Sequence, residues 1–139
     1  MIQFINKPEN FNQEEFKTWL ILSARFYQVI IEKLVYFFVT KEKMLDLNMK
    51  YLNHNTQTDI ITFSYGTKAS IISEVYISLD QATENAIIYK QSIDNEIIRL
   101  VSHGFLHSIG FSDKTIDKQD KMTKEEDKMI DMFHVKHIN

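Results

Sequence analysis

The chain opens on a short apolar stretch, Ile2 to Ile5, which predicts a strand. From Asn12 to about Ile31 the apolar residues Phe16, Leu20, Phe26, Val29 and Ile30 recur at helical spacing among charged ones, predicting an amphipathic helix. Lys33 to Val39 (KLVYFFV) is β-branched and aromatic, the composition of a largely buried strand. Thr40 then stands where a cap would open a short helix from Lys41 to about Tyr51. After a polar stretch, Leu52 to Thr58, the runs Asp59 to Tyr65 and Ile72 to Leu79 read as two strands. The connection around Gly66 has the length of a hairpin loop and pairs them antiparallel. Asp80 is the candidate N-cap of a helix reaching about Gln91, and Asp94 that of a helix from about Asn95 to Ile109, which Gly110 ends. Lys114 to Phe133 is a charged helix with Met122, Met129, Ile130 and Phe133 turned inward. Strands and helices mix without regular βαβ alternation, so the fold class is α+β.

Composition narrows this picture. At 139 residues, 44% hydrophobic and 25% charged, the chain has the size and balance of one globular domain over residues 1–139. Such a domain buries roughly two thirds of the surface its unfolded chain exposes. Cysteine is absent, which removes disulfides, thiolate ligands and a thiol nucleophile; a metal site here must be built from His, Asp and Glu. Three glycines and one proline leave little material for linkers. A formal net charge of −3 weakens the simplest case for a nucleic-acid binder, leaving only a local basic patch. The start of the chain has no basic-then-apolar leader pattern, and no apolar run approaches the ~20 residues of a membrane span. The expectation is a cytoplasmic protein with no membrane contact.

The chemistry concentrates in SHGFLHSIG. His103 and His107 lie four apart in a predicted helix, and four residues advance a helix by about 400°, so both imidazoles project from one face. Two histidines one turn apart are a common way to hold a borderline cation such as Zn²⁺. Gly110 lets the chain turn back, making Asp113 the nearest third ligand; the same aspartate is also a good cap for the next helix. In the H-E-x-x-H pattern of metalloproteases the glutamate is the base, and here that position is Gly104. Glu96 and Arg99 share the His103 face one to two turns earlier, either as substrate-facing groups or as a surface ion pair. His134 and His137 form a second, terminal pair, where fraying tells against a metal role.

The segment His103-Gly-Phe-Leu-His107-Ser-Ile-Gly110 resembles the H-G-x-L-H-x-x-G signature of the YbeY family of rRNA maturation factors. Three further stretches agree in order. These are Leu47-Asn48 through Thr58-Asp59-Ile-Ile-Thr-Phe63, then Ile77 to Ala86 (ISLDQATENA), then Met122 to Met129 with Glu125 and Glu126. Together they span about residues 33–131. Two positions depart from the pattern: Asp113 stands where a third histidine is usual, and Leu52 where many members carry arginine.

The resemblance implies a small mixed sheet of about four strands flanked by helices, with the metal site on a central helix. It implies an endoribonuclease, dependent on one Zn²⁺ or another divalent metal per chain, that cleaves single-stranded RNA in small-subunit rRNA maturation and ribosome quality control. Metal ligands would be His103, His107 and Asp113, with Arg99 a further catalytic candidate and the small ribosomal subunit and its proteins as partners. Either a water or the ribose 2′-hydroxyl could be the nucleophile, since both need the same ligands. His54 or Arg99 would supply positive charge in place of the missing arginine. Tyr51, Phe63 and Tyr65 are candidates for stacking on bases, with core packing the alternative for Phe63. The lysines of the C-terminal stretch (Lys114, Lys118, Lys121, Lys124, Lys128 and Lys136) are interleaved with acids and read as a solvated face. Competing functions are a non-catalytic ribosome assembly factor with a structural metal, or a metallohydrolase of another substrate.

Overall fold

A computed structural model describes residues 1–52 and 58–135, and its elements run in a mixed order. They are β1 (Ile2–Ile5), α1 (Gln13–Tyr27), β2 (Ile30–Val39), α2 (Lys41–Leu52), β3 (Ile60–Ser64), β4 (Ser70–Ser78), α3 (Leu79–Ile88), α4 (Ile93–Ser108) and α5 (Ile116–Val135). Among the described residues the four strands form one sheet in the order β1-β2-β4-β3. β2 pairs in parallel with both β1 and β4, and β3 closes the sheet antiparallel to β4 with Ile61 opposite Tyr76 and Phe63 opposite Glu74. This is the α+β class, with the antiparallel β3–β4 pair that the hairpin spacing predicts.

Alternation along the strands sends Leu34, Tyr36 and Phe38 of β2 and Ile71, Val75 and Ile77 of β4 to one face. There they meet Trp19 and Leu20 of α1, Val101, Phe105 and Leu106 of α4, and Met122, Met129 and Phe133 of α5. Helix α2 covers part of the other face, where Met44 and Leu47 pack on Ile61 with Phe63 and Tyr76 alongside.

Two buried polar contacts lock the helices that matter for the site. The Tyr36 hydroxyl donates to the Val101 carbonyl at 2.8 Å, fixing α4 over the sheet. The Trp19 indole donates to the Met129 carbonyl at 2.7 Å, fixing α5 beside it. Helix α4 lies close on β4 because residue 104 has no side chain: a Cβ there would stand 2.7 Å from Val75 Cγ1. The position that holds the base in metalloprotease helices is therefore pressed into the core and could not present a carboxylate.

Several boundaries differ from the sequence reading. Gln28 takes a left-handed conformation (φ 58°) and ends α1 at Tyr27, so Phe26 and Ile30 are exposed instead of lining a longer helix. Ser78 and Ser92, rather than Asp80 and Asp94, are the N-caps of α3 and α4, accepting from the amides of Gln81 and Asn95. Both aspartates fall in the first turn instead, where the helix dipole favours them. Asp80 also accepts from the Lys41 amide at 3.2 Å, steadying the start of α2. Thr40 caps α2 as expected, accepting from the Lys43 amide. Thr115 does the same for α5 through Lys118, which leaves Asp113 free of the capping role. His54 and His137 lie outside the described residues.

Candidate metal centre

Helix α4 carries His103 and His107 on one face, their rings 4.6 Å apart between centroids. Past its C-terminus Gly110 adopts φ +106°, a conformation that costs a glycine little, and the chain doubles back. That reversal brings Asp113 over the pair. Its Oδ2 lies 3.4 Å from His103 Nε2 and its Oδ1 lies 3.7 Å from His107 Nε2. One ligand atom from each of the three residues falls within 4.8 Å of the others. Two imidazole nitrogens and one carboxylate oxygen suit a borderline divalent cation and leave coordination positions open.

The remaining nitrogen of His103 is committed elsewhere. Its Nδ1 lies 2.6 Å from Glu126 Oε2 of α5. With the carboxylate as acceptor, Nδ1 carries the proton and the Nε2 lone pair faces Asp113, the arrangement by which a carboxylate orients a metal-binding histidine. Glu126 is itself buried and takes a second contact, 2.9 Å from Arg99 Nη1, while Arg99 Nη2 reaches Asp127 at 3.3 Å. The structure thus brings Arg99 to the site with its guanidinium already on two carboxylates.

Titration tendencies follow from these contacts. Burial works to lower the His103 pKa, but the hydrogen bond and charge of Glu126, aided by Asp113 and Asp59, outweigh it and hold the value above the usual histidine range. Burial, with the neighbouring charge of His103, pulls His107 below it. The two histidines of the cluster are therefore biased in opposite directions.

The three residues open onto a cleft of about 1080 Å³ walled by β3, α3, α4 and the turn at Asp113 and Lys114. Asp59 and Glu96 line it too. Asn85 donates to Asp59 Oδ2 at 2.9 Å. Burial raises the carboxyl pKa of Asp59, against the opposing pull of its own backbone hydrogen bond and of His103. Burial and then the nearby charge of Asp59 do the same to Glu96.

Sequence reasoning placed Glu126 only in an acidic helix and did not connect it to His103. The contact spans 23 residues and two helices, so no local spacing could reveal it. Tyr51, Phe63 and Tyr65 do not line the cleft: Phe63 packs with α2, its ring 5.4 Å from Tyr51, and Tyr65 donates to Glu74. His134 is exposed near the end of α5.

A mixed sheet with a His/His/carboxylate cluster on the helix beneath its antiparallel edge defines the class: an α+β domain built around a helix that carries a candidate metal site. The chain belongs to the YbeY family, since the family model described as Endoribonuclease YbeY matches residues 3–134. Among its relatives, Endoribonuclease YbeY of Flavobacterium johnsoniae is 33% identical over 124 residues, covering 89% of each chain. The protein of the same name from Christiangramia forsetii is 32% identical over 123 residues, covering 88% of this chain and 86% of that one. The solution structure of TM1509 from Thermotoga maritima shares the fold with a TM-score of 0.66 at 17% identity, over 96% of this chain and 89% of that one. Among the described residues, no helix is long and apolar enough to cross a membrane.

Proposed function

We propose that this chain is a metal-dependent endoribonuclease of single-stranded RNA, with one Zn²⁺ held by His103, His107 and Asp113. The observation that carries the reading is the convergence of these three side chains at the mouth of the cleft, with Glu126 fixing the His103 ring. When bound, the ion supplies charge stabilisation to a phosphate and acidifies a coordinated water. Arg99 holds Glu126, and Glu126 holds the proton on His103 Nδ1 so that Nε2 stays available. Asp59 and Glu96 line the same cleft as the cluster, and burial raises the pKa of both carboxyls. Asp113 replaces the third histidine with a harder ligand that still suits zinc.

The family resemblance extends the proposal to maturation of small-subunit rRNA at its 3′ end and to ribosome quality control, in the cytoplasm and in contact with the small ribosomal subunit and its proteins. The test is cleavage of an end-labelled single-stranded RNA and of its duplex by the protein and by an identically prepared His107→Ala variant. Endonucleolytic products from the single strand that vanish in the variant support the reading. Equal cleavage by both proteins, or none by either, counts against it.

A further inference from the structure

The cleft is a poor phosphate site by charge. Asp59, Glu96, Asp113 and Glu126 line it, against only Arg99 and Lys114 among its lining cations, and Arg99 already holds two carboxylates. One metal ion cannot track a whole strand of phosphates, so the contacts along the rest of the strand must come from neutral donors.

Strand β3 supplies them. It is the last strand of the sheet, and its ladder to β4 uses residues 59, 61, 63 and 65. The Ser78 amide donates to the Asp59 carbonyl at 3.0 Å and the Tyr65 amide to the Ile72 carbonyl at 2.7 Å. In an antiparallel pair the alternate residues turn their main-chain groups the other way. Ile60, Thr62 and Ser64 therefore point their amides and carbonyls out of the sheet, and all three residues line the cleft. Among the described residues only the Thr58 hydroxyl reaches this row, donating to the Ile60 carbonyl at 3.3 Å. The Thr62 hydroxyl of β3 and the Gln81 side-chain carbonyl of α3 line the same cleft and are buried atoms with no hydrogen-bond partner among the described residues.

We infer that the outer edge of β3, unpaired with another strand among the described residues, is the track for the RNA backbone, its outward amides donating to phosphate oxygens and its outward carbonyls accepting from ribose 2′-hydroxyls. The inference rests on the ribonuclease reading and specifies how that site holds its substrate. A row of alternating donors and acceptors matches a strand that carries an anionic acceptor and a hydroxyl donor in every nucleotide. The edge also runs into the same cleft as the His103–His107–Asp113 cluster, which places a bound strand beside it.

The test measures binding with cleavage switched off, so that its failure and the failure of the ribonuclease reading are distinct. A fluorescent single-stranded RNA is titrated with the full chain in chelator, beside DNA of the same sequence. RNA should bind at least about tenfold more tightly than DNA. Between about 50 and 200 mM salt its affinity should fall only about threefold, as for one lysine–phosphate contact, where a five-phosphate lysine track would lose roughly a hundredfold. Ser64→Pro deletes one outward amide at an edge position that tolerates proline. It should weaken RNA binding about tenfold, and Ser64→Ala, which keeps the amide, less than about threefold. Amide exchange on the unaltered chain gives a reading free of mutation: RNA should slow exchange at Thr62 and Ser64. No RNA binding, equal affinity for RNA and DNA, a steep salt dependence, or Ser64→Pro equal to Ser64→Ala would each overturn the inference. Protection of these amides by an extended peptide and not by RNA would overturn it in favour of a protein strand at this edge.

Discussion

His103 is held at both ends, its Nδ1 on Glu126 and its Nε2 opposite Asp113, and that double hold sets what single substitutions should do. Glu126→Gln keeps the shape but loses the charge that orients the imidazole. Zinc affinity measured by chelator competition should drop by about 10- to 100-fold while the far-ultraviolet circular dichroism is unchanged. Unaltered affinity would reduce Glu126 to a structural contact. Asp59 carries the opposite bias. Burial raises its pKa above the ordinary 3.8, so the folded chain binds that proton more tightly than the unfolded chain does. Stability contributed at this site is therefore greatest below the ordinary value and falls as pH rises through the raised one. Asp59→Asn should raise Tm at neutral pH, and the gain should disappear below about pH 3.8. A variant with no gain at neutral pH would show that the buried charge costs nothing. A cleft carboxylate that costs stability is what a functional site commonly carries.

At the scale of elements, the position of α4 decides whether the cluster forms. In an exposed helix Ala would be worth about 1 kcal/mol over Gly. At residue 104 the added methyl would stand 2.7 Å from Val75 Cγ1, and Val75 is a fully buried, β-branched side chain with a stiff χ1. Overpacking of this kind costs about 1–3 kcal/mol, so Gly104→Ala should be a net loss in denaturant unfolding. Combined with Val75→Ala it should cost less than the sum of the two single changes. Additive effects would mean the contact is not the reason for the glycine.

The same elements show what a sequence can and cannot reveal. The His103–His107 spacing and the Gly110 turn are local, and both stand where periodicity and the glycine placed them. The antiparallel β3–β4 pair was legible for the same reason. The early end of α1 was not, because Gln28 reaches the left-handed region without a glycine or asparagine to announce it. The serine caps were hidden by acids placed two residues further on. Glu126 was hidden by distance along the chain, since what brings it to His103 is the packing of α5, anchored by Trp19 on Met129.

At the scale of the whole molecule, the sheet order leaves β3 at the edge, and α3, α4 and the Asp113 turn enclose the cleft beside it. A net charge of −3 is compatible with RNA as substrate if the metal and the sheet edge do the work that basic side chains do elsewhere. On the ribonuclease reading, RNA cleavage depends on one ion held by α4 and Asp113. The most direct measurement strips the protein with chelator and follows cleavage of a labelled single-stranded RNA as zinc is returned, for the native chain and for Asp113→Ala. Activity should return and saturate at one ion per native chain, and Asp113→Ala should need at least about tenfold more free zinc. Cleavage that survives stripping, or identical zinc curves for the two proteins, would contradict it.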